Sequence, residues 1–283
     1  MKIIETKAEM RAFSLAQRQK GKAVGLVPTM GALHEGHLSL IRAARSDCGI
    51  AVVSIFVNPA QFAPNEDLAK YPRSFQADCA ACERCGADAV FAPSSEEMYP
   101  PGSETFVVQD RLAGVLEGAS RPAHFRGVLT VVLKLFNVAA PQVAYFGQKD
   151  YQQTVVIRRM VADLDVPVEV RVLPTVREAD GLAMSSRNRY LNPDERRQAV
   201  CLSASLDLCS RLAAQGSRST DELKARMRAR IDKEPSALVD YVEIVDPDTL
   251  GPVAAVRSGD VALVAVLVGT TRLIDNVILA AGV

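Results

Sequence analysis

Over its first two thirds the 283-residue chain alternates short apolar runs, rich in β-branched residues, with amphipathic stretches of helical period, and this alternation limits the fold more than any other feature. Strands are predicted at 23–28, 50–57, 87–91, 142–146 and 167–173, with helices near 37–47, 74–85, 124–139 and 150–164. Parallel strands need long crossovers, usually helices, so the pattern predicts stacked βαβ units: an α/β fold with a Rossmann-like parallel sheet. No Gly-x-Gly-x-x-Gly follows the first of these strands, which removes the main support for a dinucleotide.

After about residue 176 the texture changes, first to the polar stretch Arg177-Glu178-Ala179-Asp180-Gly181. Asn192 reads as an N-cap, Pro193 as the first helical residue and Glu195 as the closing member of a capping box. Ala199, Leu202, Leu206, Cys209 and Ala213 continue one face of that helix. A second box, Ser219-x-x-Glu222, opens another helix with Leu223, Met227 and Ile231 inward. Strand-like runs follow near 239–245, 261–268 and 271–279. The expected organisation is a Rossmann-like domain over 1–176 and a smaller α+β domain over 177–283.

With 48% hydrophobic residues the chain can bury a substantial core. Lys plus Arg equals Asp plus Glu at 33 each, so net charge argues for neither nucleic acid nor a membrane surface, and any anion site must be local. The sequence opens without an apolar leader and its longest apolar stretch, 261–268, is far too short to span a bilayer, which makes a cytoplasmic location the expectation. Cys79-x-x-Cys82-x-x-Cys85 has the look of a metal motif, and Cys48, Cys201 or Cys209 could supply a fourth ligand. The segment nevertheless reads as a helix running from Ser74 to Gly86, on which the three thiols fall near one stripe and pack as small hydrophobes.

Two of the three histidines stand in His34-Glu35-Gly36-His37, at a predicted strand-to-helix junction. Backbone N–H groups and the helix dipole favour an anion there. A metalloprotease helix needs His-Glu-x-x-His, and here the second histidine comes one residue early, so zinc is the minor reading. Residues three apart share a helix face, and Gly31 and Gly36 permit close backbone approach to a phosphate. The plainer alternative is a helix terminus whose histidines are merely exposed.

Other unusual residues also follow strands, at the edge where open parallel sheets bind ligands. Asn58-Pro59-Ala60-Gln61-Phe62 offers neutral amides for hydroxyls and carboxylates, though Asn-Pro is also a common turn opener. Gly147-Gln148-Lys149-Asp150-Tyr151-Gln152-Gln153 combines a glycine turn, a lysine and a helix start, which suits phosphate, although Lys149 beside Asp150 also reads as an ordinary solvated pair. Pro174-Thr175-Val176 leads to Met184-Ser185-Ser186-Arg187, whose hydroxyls and guanidinium match phosphate oxygens, although such triplets also occur in plain loops.

Taken together, Pro28-Thr-Met-Gly-Ala-Leu-His34-Glu-Gly-His37, Asn58-Pro-x-Gln61-Phe62, Tyr71-Pro72-Arg73, Gly147-x-Lys149-Asp150-x-x-Gln153 and Met184-Ser-Ser-Arg187 closely resemble the pantothenate synthetase, or pantoate–β-alanine ligase, family. More distantly the chain resembles the nucleotidyltransferase superfamily that includes class I aminoacyl-tRNA synthetases. The resemblance covers most of the chain and implies ATP-dependent condensation of (R)-pantoate with β-alanine through a pantoyl adenylate, releasing AMP and pyrophosphate. It further implies an ATP site built from Met30, Gly31, Ala32, Leu33, His34, Glu35, Gly36 and His37, from Gly147, Gln148, Lys149 and Asp150, from the Val176 backbone and from Met184, Ser185, Ser186 and Arg187. His37, His34, Lys149, Ser185, Ser186 and Arg187 are its candidate catalytic groups, His37 being the better donor to the departing group. Gln61 would bind pantoate and help seat β-alanine, Gln153 would bind pantoate, and Asn58 and Arg121 are further substrate-site candidates. The resemblance also implies Mg²⁺ on the phosphates, which Asp78 could orient directly or through water, a homodimer, and a second domain that acts as a lid carrying the Met184 loop. His124 either supports the pocket or caps its helix. The competing readings are another enzyme of the superfamily with a phosphorylated acceptor, disfavoured by the neutral amides at Gln61 and Gln153, and a non-catalytic ATP sensor, disfavoured by the intact histidine and serine segments.

Overall fold

The structure, a computed structural model, describes residues 1–64 and 66–280, so positions 281–283 of the expected second domain lie outside it. The chain forms two compact units, Met1–Gly147 with Gln152–Pro174, and Gln148–Tyr151 with Thr175–Val283. The first contains β1 (Lys2–Ile4), α1 (Lys7–Gln19), β2 (Ala23–Thr29), α2 (Glu35–Cys48), β3 (Gly49–Ile55), α3 (Phe75–Arg84) and β4 (Ala89–Phe91). It continues with the short helices α4 (Ser95–Met98) and α5 (Glu117–Ser120), then α6 (His124–Ala139), β5 (Val143–Gly147), α7 (Tyr151–Asp163) from its second residue on, and β6 (Glu169–Leu173).

Its six strands are all parallel, in the order β1-β4-β3-β2-β5-β6. A parallel sheet covered by helices on both faces needs strands that are apolar throughout. That is the composition of β2 and β3, in which Val24, Leu26, Val27, Ala51, Val52 and Val53 are fully buried. The amphipathic α2 lays Leu40, Ile41, Ala44 and Cys48 on that core. The cysteine stripe joins the same packing: Cys82 is buried and Cys79 and Cys85 lie against it partly covered. Burial pushes the Cys82 thiol up to about 12, so it stays protonated and behaves as an apolar side chain.

The second unit contains α8 (Pro193–Gln198), α9 (Cys201–Ala214), α10 (Thr220–Ile231) and the antiparallel sheet β7 (Ala237–Val245), β8 (Val261–Val268) and β9 (Thr271–Ile278), in that order. The box at Asn192 forms in both directions, with Asn192 Oδ1 accepting the N–H groups of Asp194 and Glu195 and Glu195 Oε2 accepting the Asn192 N–H, whereas at the expected second box Ser219 acts as a one-way cap, its Oγ accepting the Glu222 N–H. The expected single helix after Asn192 is two helices, because the chain turns at Ala199–Val200 between α8 and α9. The apolar face survives the break, since Ala199, Leu202, Leu206, Cys209 and Ala213 all remain buried. Among the described residues no helix is long and apolar enough to cross a membrane.

Candidate active site

From β2 the chain passes to β3 on one side of the sheet, and β5 pairs with β2 on the other, so the carboxyl end of β2 is a topological switch point. Ligands of open α/β sheets bind at such points. Thr29, the last residue of β2, donates its hydroxyl to Ser54 O at 2.7 Å and accepts the Gly31 N–H at 3.2 Å. Gly31 and Ala32 then take left-handed backbone, with φ of +82° and +50°. Alanine is strained there, by about 1 kcal/mol or more, and needs outside support. Asp78 supplies it from α3: one carboxylate oxygen accepts Ala32 N–H and the other Leu33 N–H, both at 2.9 Å, while Ser74 Oγ reaches each oxygen at 3.2 Å.

This arrangement does not fit direct coordination of a metal by Asp78, one of the two forms of its expected role. Its carboxylate is 3% exposed, and both oxygens already accept backbone donors and a hydroxyl. Among the described residues no group of three His, Cys, Asp or Glu side chains could hold a metal ion. Asp78 instead shapes the loop that delivers the histidines.

His34 occupies the N-cap position of α2 with extended backbone, and its carbonyl accepts His37 N–H at 2.8 Å. His37 Nδ1 in turn accepts the His34 N–H at 3.4 Å, and the two rings lie 4.1 Å apart, tilted by 44°. With Nδ1 accepting, a neutral His37 ring carries its hydrogen on Nε2, the atom it can offer as a donor. A Cβ on Gly36 would meet His34 Cε1 at 2.9 Å, so the glycine between the histidines makes room for the first imidazole. Glu35 points elsewhere and pairs with Arg42.

Beyond β3, Asn58 organises the amide turn. Its Oδ1 accepts Ala60 N–H at 3.3 Å and Tyr99 O–H at 3.0 Å, and its Nδ2 donates to Gln61 Oε1 at 3.0 Å and Gly127 O at 3.1 Å. Gln61 Nε2 faces Met30 Sδ at 3.0 Å, which brings the amide turn against the histidine loop. A thioether is a weak acceptor, so an oxygen ligand would satisfy that amide better. The N-terminal turn of α6 grips the same segment. His124 Nδ1 donates to Gln61 O at 3.0 Å, and a Cβ on Gly127 would lie 2.3 Å from Ala60 O. Burial, reinforced by the Arg121 charge, holds the His124 ring neutral, with its pKa pushed down to about 4. Arg121 itself is clamped by Glu66 at 2.7 and 2.6 Å, so the guanidinium expected to meet a substrate anion is occupied by a carboxylate of this chain. Burial alone would raise the Glu66 pKa, but Arg121 more than offsets it and the net shift is downward.

In the second unit Gln148–Asp150 forms a 3₁₀ turn in which Lys149 Nζ lies 3.5 Å from Asp150 Oδ1. The Val176 carbonyl, expected near adenine, accepts the Met184 N–H at 3.0 Å and so closes the neck of the serine loop. Ser185 Oγ accepts Arg187 N–H at 3.2 Å and caps the 3₁₀ turn Ser186–Tyr190. Lys149 and Ser185 line one small depression together with Asn188 and Asp275.

Residues 2–278 match the family model of pantoate-beta-alanine ligase. The chain belongs to that family. It is 54% identical over 279 residues to a pantothenate synthetase of Moorella thermoacetica, covering 99% of each chain. Among solved structures it matches the pantothenate synthetase of Thermus thermophilus with a TM-score of 0.93 at 46% identity, over 98% of this chain and 99% of the other. A pantoate-beta-alanine ligase of Francisella tularensis, complexed with beta-gamma ATP and beta-alanine, matches with a TM-score of 0.82 at 34% identity, over 98% and 97% of the two chains.

Within this ligase fold, the histidine loop and the Asn58–Gln61 turn meet in the first unit, while Lys149 and the serine loop meet in the second. Gln153 sits half-buried near the start of α7, next to Gln152, whose amide is spent on Glu117 N and on the carbonyls of Leu112 and Val115. Sequence reasoning quoted Thr29 within the Pro28–His37 motif but gave it no role, and it missed Tyr99 and Gly127. Of these last two, Gly127 left a signal, as a glycine inside an otherwise apolar helical stretch.

Proposed function

We propose that this chain uses ATP to join (R)-pantoate to β-alanine, giving pantothenate, AMP and pyrophosphate. Membership of the ligase family supports the overall reaction, and the Francisella tularensis complex with beta-gamma ATP and beta-alanine supports both as ligands of this chain. The observation that carries the substrate assignment is the Gln61 amide, fixed by Asn58 and facing Met30 beside the histidine loop. It is a neutral donor suited to a hydroxy acid, where a phosphorylated acceptor would demand arginine or lysine.

On this reading a pantoate carboxylate oxygen attacks the α-phosphorus of ATP, the bond to pyrophosphate breaks, and a pantoyl adenylate forms. The β-alanine amine then adds to the acyl carbon, loses a proton and expels AMP. A carboxylate has no adequate leaving group until it is adenylated, so positioning and charge neutralisation at phosphorus are the central demands. His34 and His37 donate to phosphate oxygens as charge develops, with His37 Nε2–H the donor to the departing group. Met30 to Leu33, with Glu35 and Gly36, form the loop that presents them. Gly147, Gln148, Lys149, Asp150 and the Val176 backbone receive the nucleotide, Lys149 at phosphate and Asp150 at ribose. Met184, Ser185, Ser186 and Arg187 bind phosphate oxygens. Gln61 and Gln153 hold pantoate, with Asn58 orienting Gln61 and Gln61 later seating β-alanine. Mg²⁺ on this reading is carried by the nucleotide and water and not by a protein carboxylate. The proposal extends to a homodimer in the cytoplasm.

The test is isotope exchange. Pantoate should support exchange of pyrophosphate into ATP without β-alanine, and β-alanine should then release AMP. Exchange driven by other acids or by phosphorylated acceptors, and not by pantoate, would overturn the assignment.

A further inference from the structure

Strand β9 carries two residues that its sheet does not need. Asp275 and Asn276 are each 2% exposed and stand between Ile274 and Val277 in regular register with Val264 and Leu263 of β8. Asp and Asn are poor strand formers, and a buried carboxylate is tolerated only when fully paired. Their partners explain their presence.

Asn276 uses both amide hydrogens on one turn, donating to the carbonyls of Gln148 and Lys149 at 2.9 Å each, while its Oδ1 accepts Gln148 Nε2 at 3.2 Å. Asp275 binds Arg177 with both oxygens, at 2.6 and 3.1 Å, and accepts the Asn276 N–H at 2.8 Å. Arg177 also donates to Gly181 O at 3.1 Å and pairs with Ala183, immediately before Met184. Two adjacent side chains thus fasten the turn that carries Lys149 and the neck of the loop that carries Ser185 to Arg187. Lys149, Ser185 and Asp275 line the same depression.

We propose that Asp275 and Asn276 are positioning residues that preset Lys149 and the serine loop as one surface for the phosphates of ATP. This inference rests on the nucleotide role given above to Lys149 and the serine loop. Their own side chains are taken up by the Gln148–Lys149 backbone, the Gln148 amide and Arg177, so they act on the nucleotide through the groups they hold. A sheet-stabilising role would touch both substrates' constants alike, whereas positioning acts on ATP through Lys149.

The experiment measures ATP binding by calorimetry and pantoate-dependent exchange for the intact protein, Asn276→Ala, Asp275→Asn, Lys149→Ala and the Asn276→Ala/Lys149→Ala double variant, each checked for folding by circular dichroism. Asn276→Ala should weaken ATP about tenfold, with the KM for pantoate changed less than about twofold. In the Lys149→Ala background the same substitution should cost less than about threefold, because the group it positions is gone. Equal losses in both backgrounds, or parallel losses for ATP and pantoate, would overturn the proposal. If the intact protein binds ATP but shows no pantoate-dependent exchange, the ligase reading fails while the binding comparison still decides the positioning role. Should the variants not fold, hydrogen exchange of the unmutated protein decides: residues 148–151 and 176–187 are expected to be protected before ATP is added, and rapid exchange there without ATP would rule out presetting.

Discussion

His37 accepts the His34 N–H through Nδ1, which puts the hydrogen of a neutral ring on Nε2, so on the proposed role removing the ring should hurt the step in which charge develops at phosphate more than it hurts nucleotide binding. For His37→Ala the expected result is a fall in the exchange kcat of about a hundredfold or more with a much smaller change in ATP affinity; equal losses would deny a transition-state role. Asp78→Asn tests the support of the same loop. An amide offers one acceptor where Asp78 now uses two oxygens, and its NH₂ would face a backbone N–H, leaving a buried donor unmet at a cost of about 1–3 kcal/mol. Denaturant unfolding should show that loss and exchange should slow, while the Mg²⁺ concentration for half-maximal rate stays put; a large rise in that concentration would return the metal role to Asp78. The histidine pair and its anion-seeking junction were legible in the sequence, because spacing and glycines fix them locally. The duty of Asp78 was not, since a carboxylate that accepts backbone N–H groups far along the chain looks in sequence like one awaiting a cation.

At the level of elements, α6 and the Asn58–Gln61 turn approach each other so closely that only a glycine fits at position 127. Gly127→Ala would gain about 1 kcal/mol of helix propensity. The new methyl would overlap backbone atoms of Ala60 and Gln61, which cannot swing aside as a side chain can, and such overpacking costs about 1–3 kcal/mol or more. The clash therefore wins. Thermal unfolding should reveal net destabilisation, and the KM for pantoate should rise more than that for ATP as Gln61 moves; a variant more stable than the parent, with unchanged pantoate constants, would show that the contact is not restrictive. The central strands were readable because strands buried on both faces must be apolar throughout. β1 was not, as three residues pairing at an edge leave too short a pattern. The break between α8 and α9 has no glycine or proline to announce it and preserves the apolar face across the turn.

For the whole molecule, the parallel sheet followed from the alternation of element types, and four polar clusters fell at strand ends, but the strand order that makes the end of β2 a switch point did not. The partition of the chain did not follow, because Gln148–Tyr151 belongs to the second unit through Asn276, a contact between residues remote in sequence. Folding stability should carry a signature of His124, whose ring faces Arg121, Glu117 and Glu66. Its folded pKa of about 4 lies below the usual value near 6.5, so between those values the unfolded chain takes up a proton that the folded chain refuses. The stabilisation is complete above about pH 6.5 and is lost as acid brings the pH down toward 4, by up to about 3 kcal/mol. His124→Asn keeps a donor near Gln61 O but cannot titrate. Its urea midpoint should fall less steeply than the parent's over that window; parallel curves would sink the claim.

The Asn276 clamp also sets an order of events during synthesis. The Gln148–Asp150 turn is made midway along the chain, yet the side chain that fastens it lies on β9, the last strand formed. Domains fold as the ribosome releases them. A nascent chain can therefore assemble its parallel sheet early while its nucleotide turn waits unfastened, and a product cut short before β9 would keep that sheet but have no finished seat for ATP.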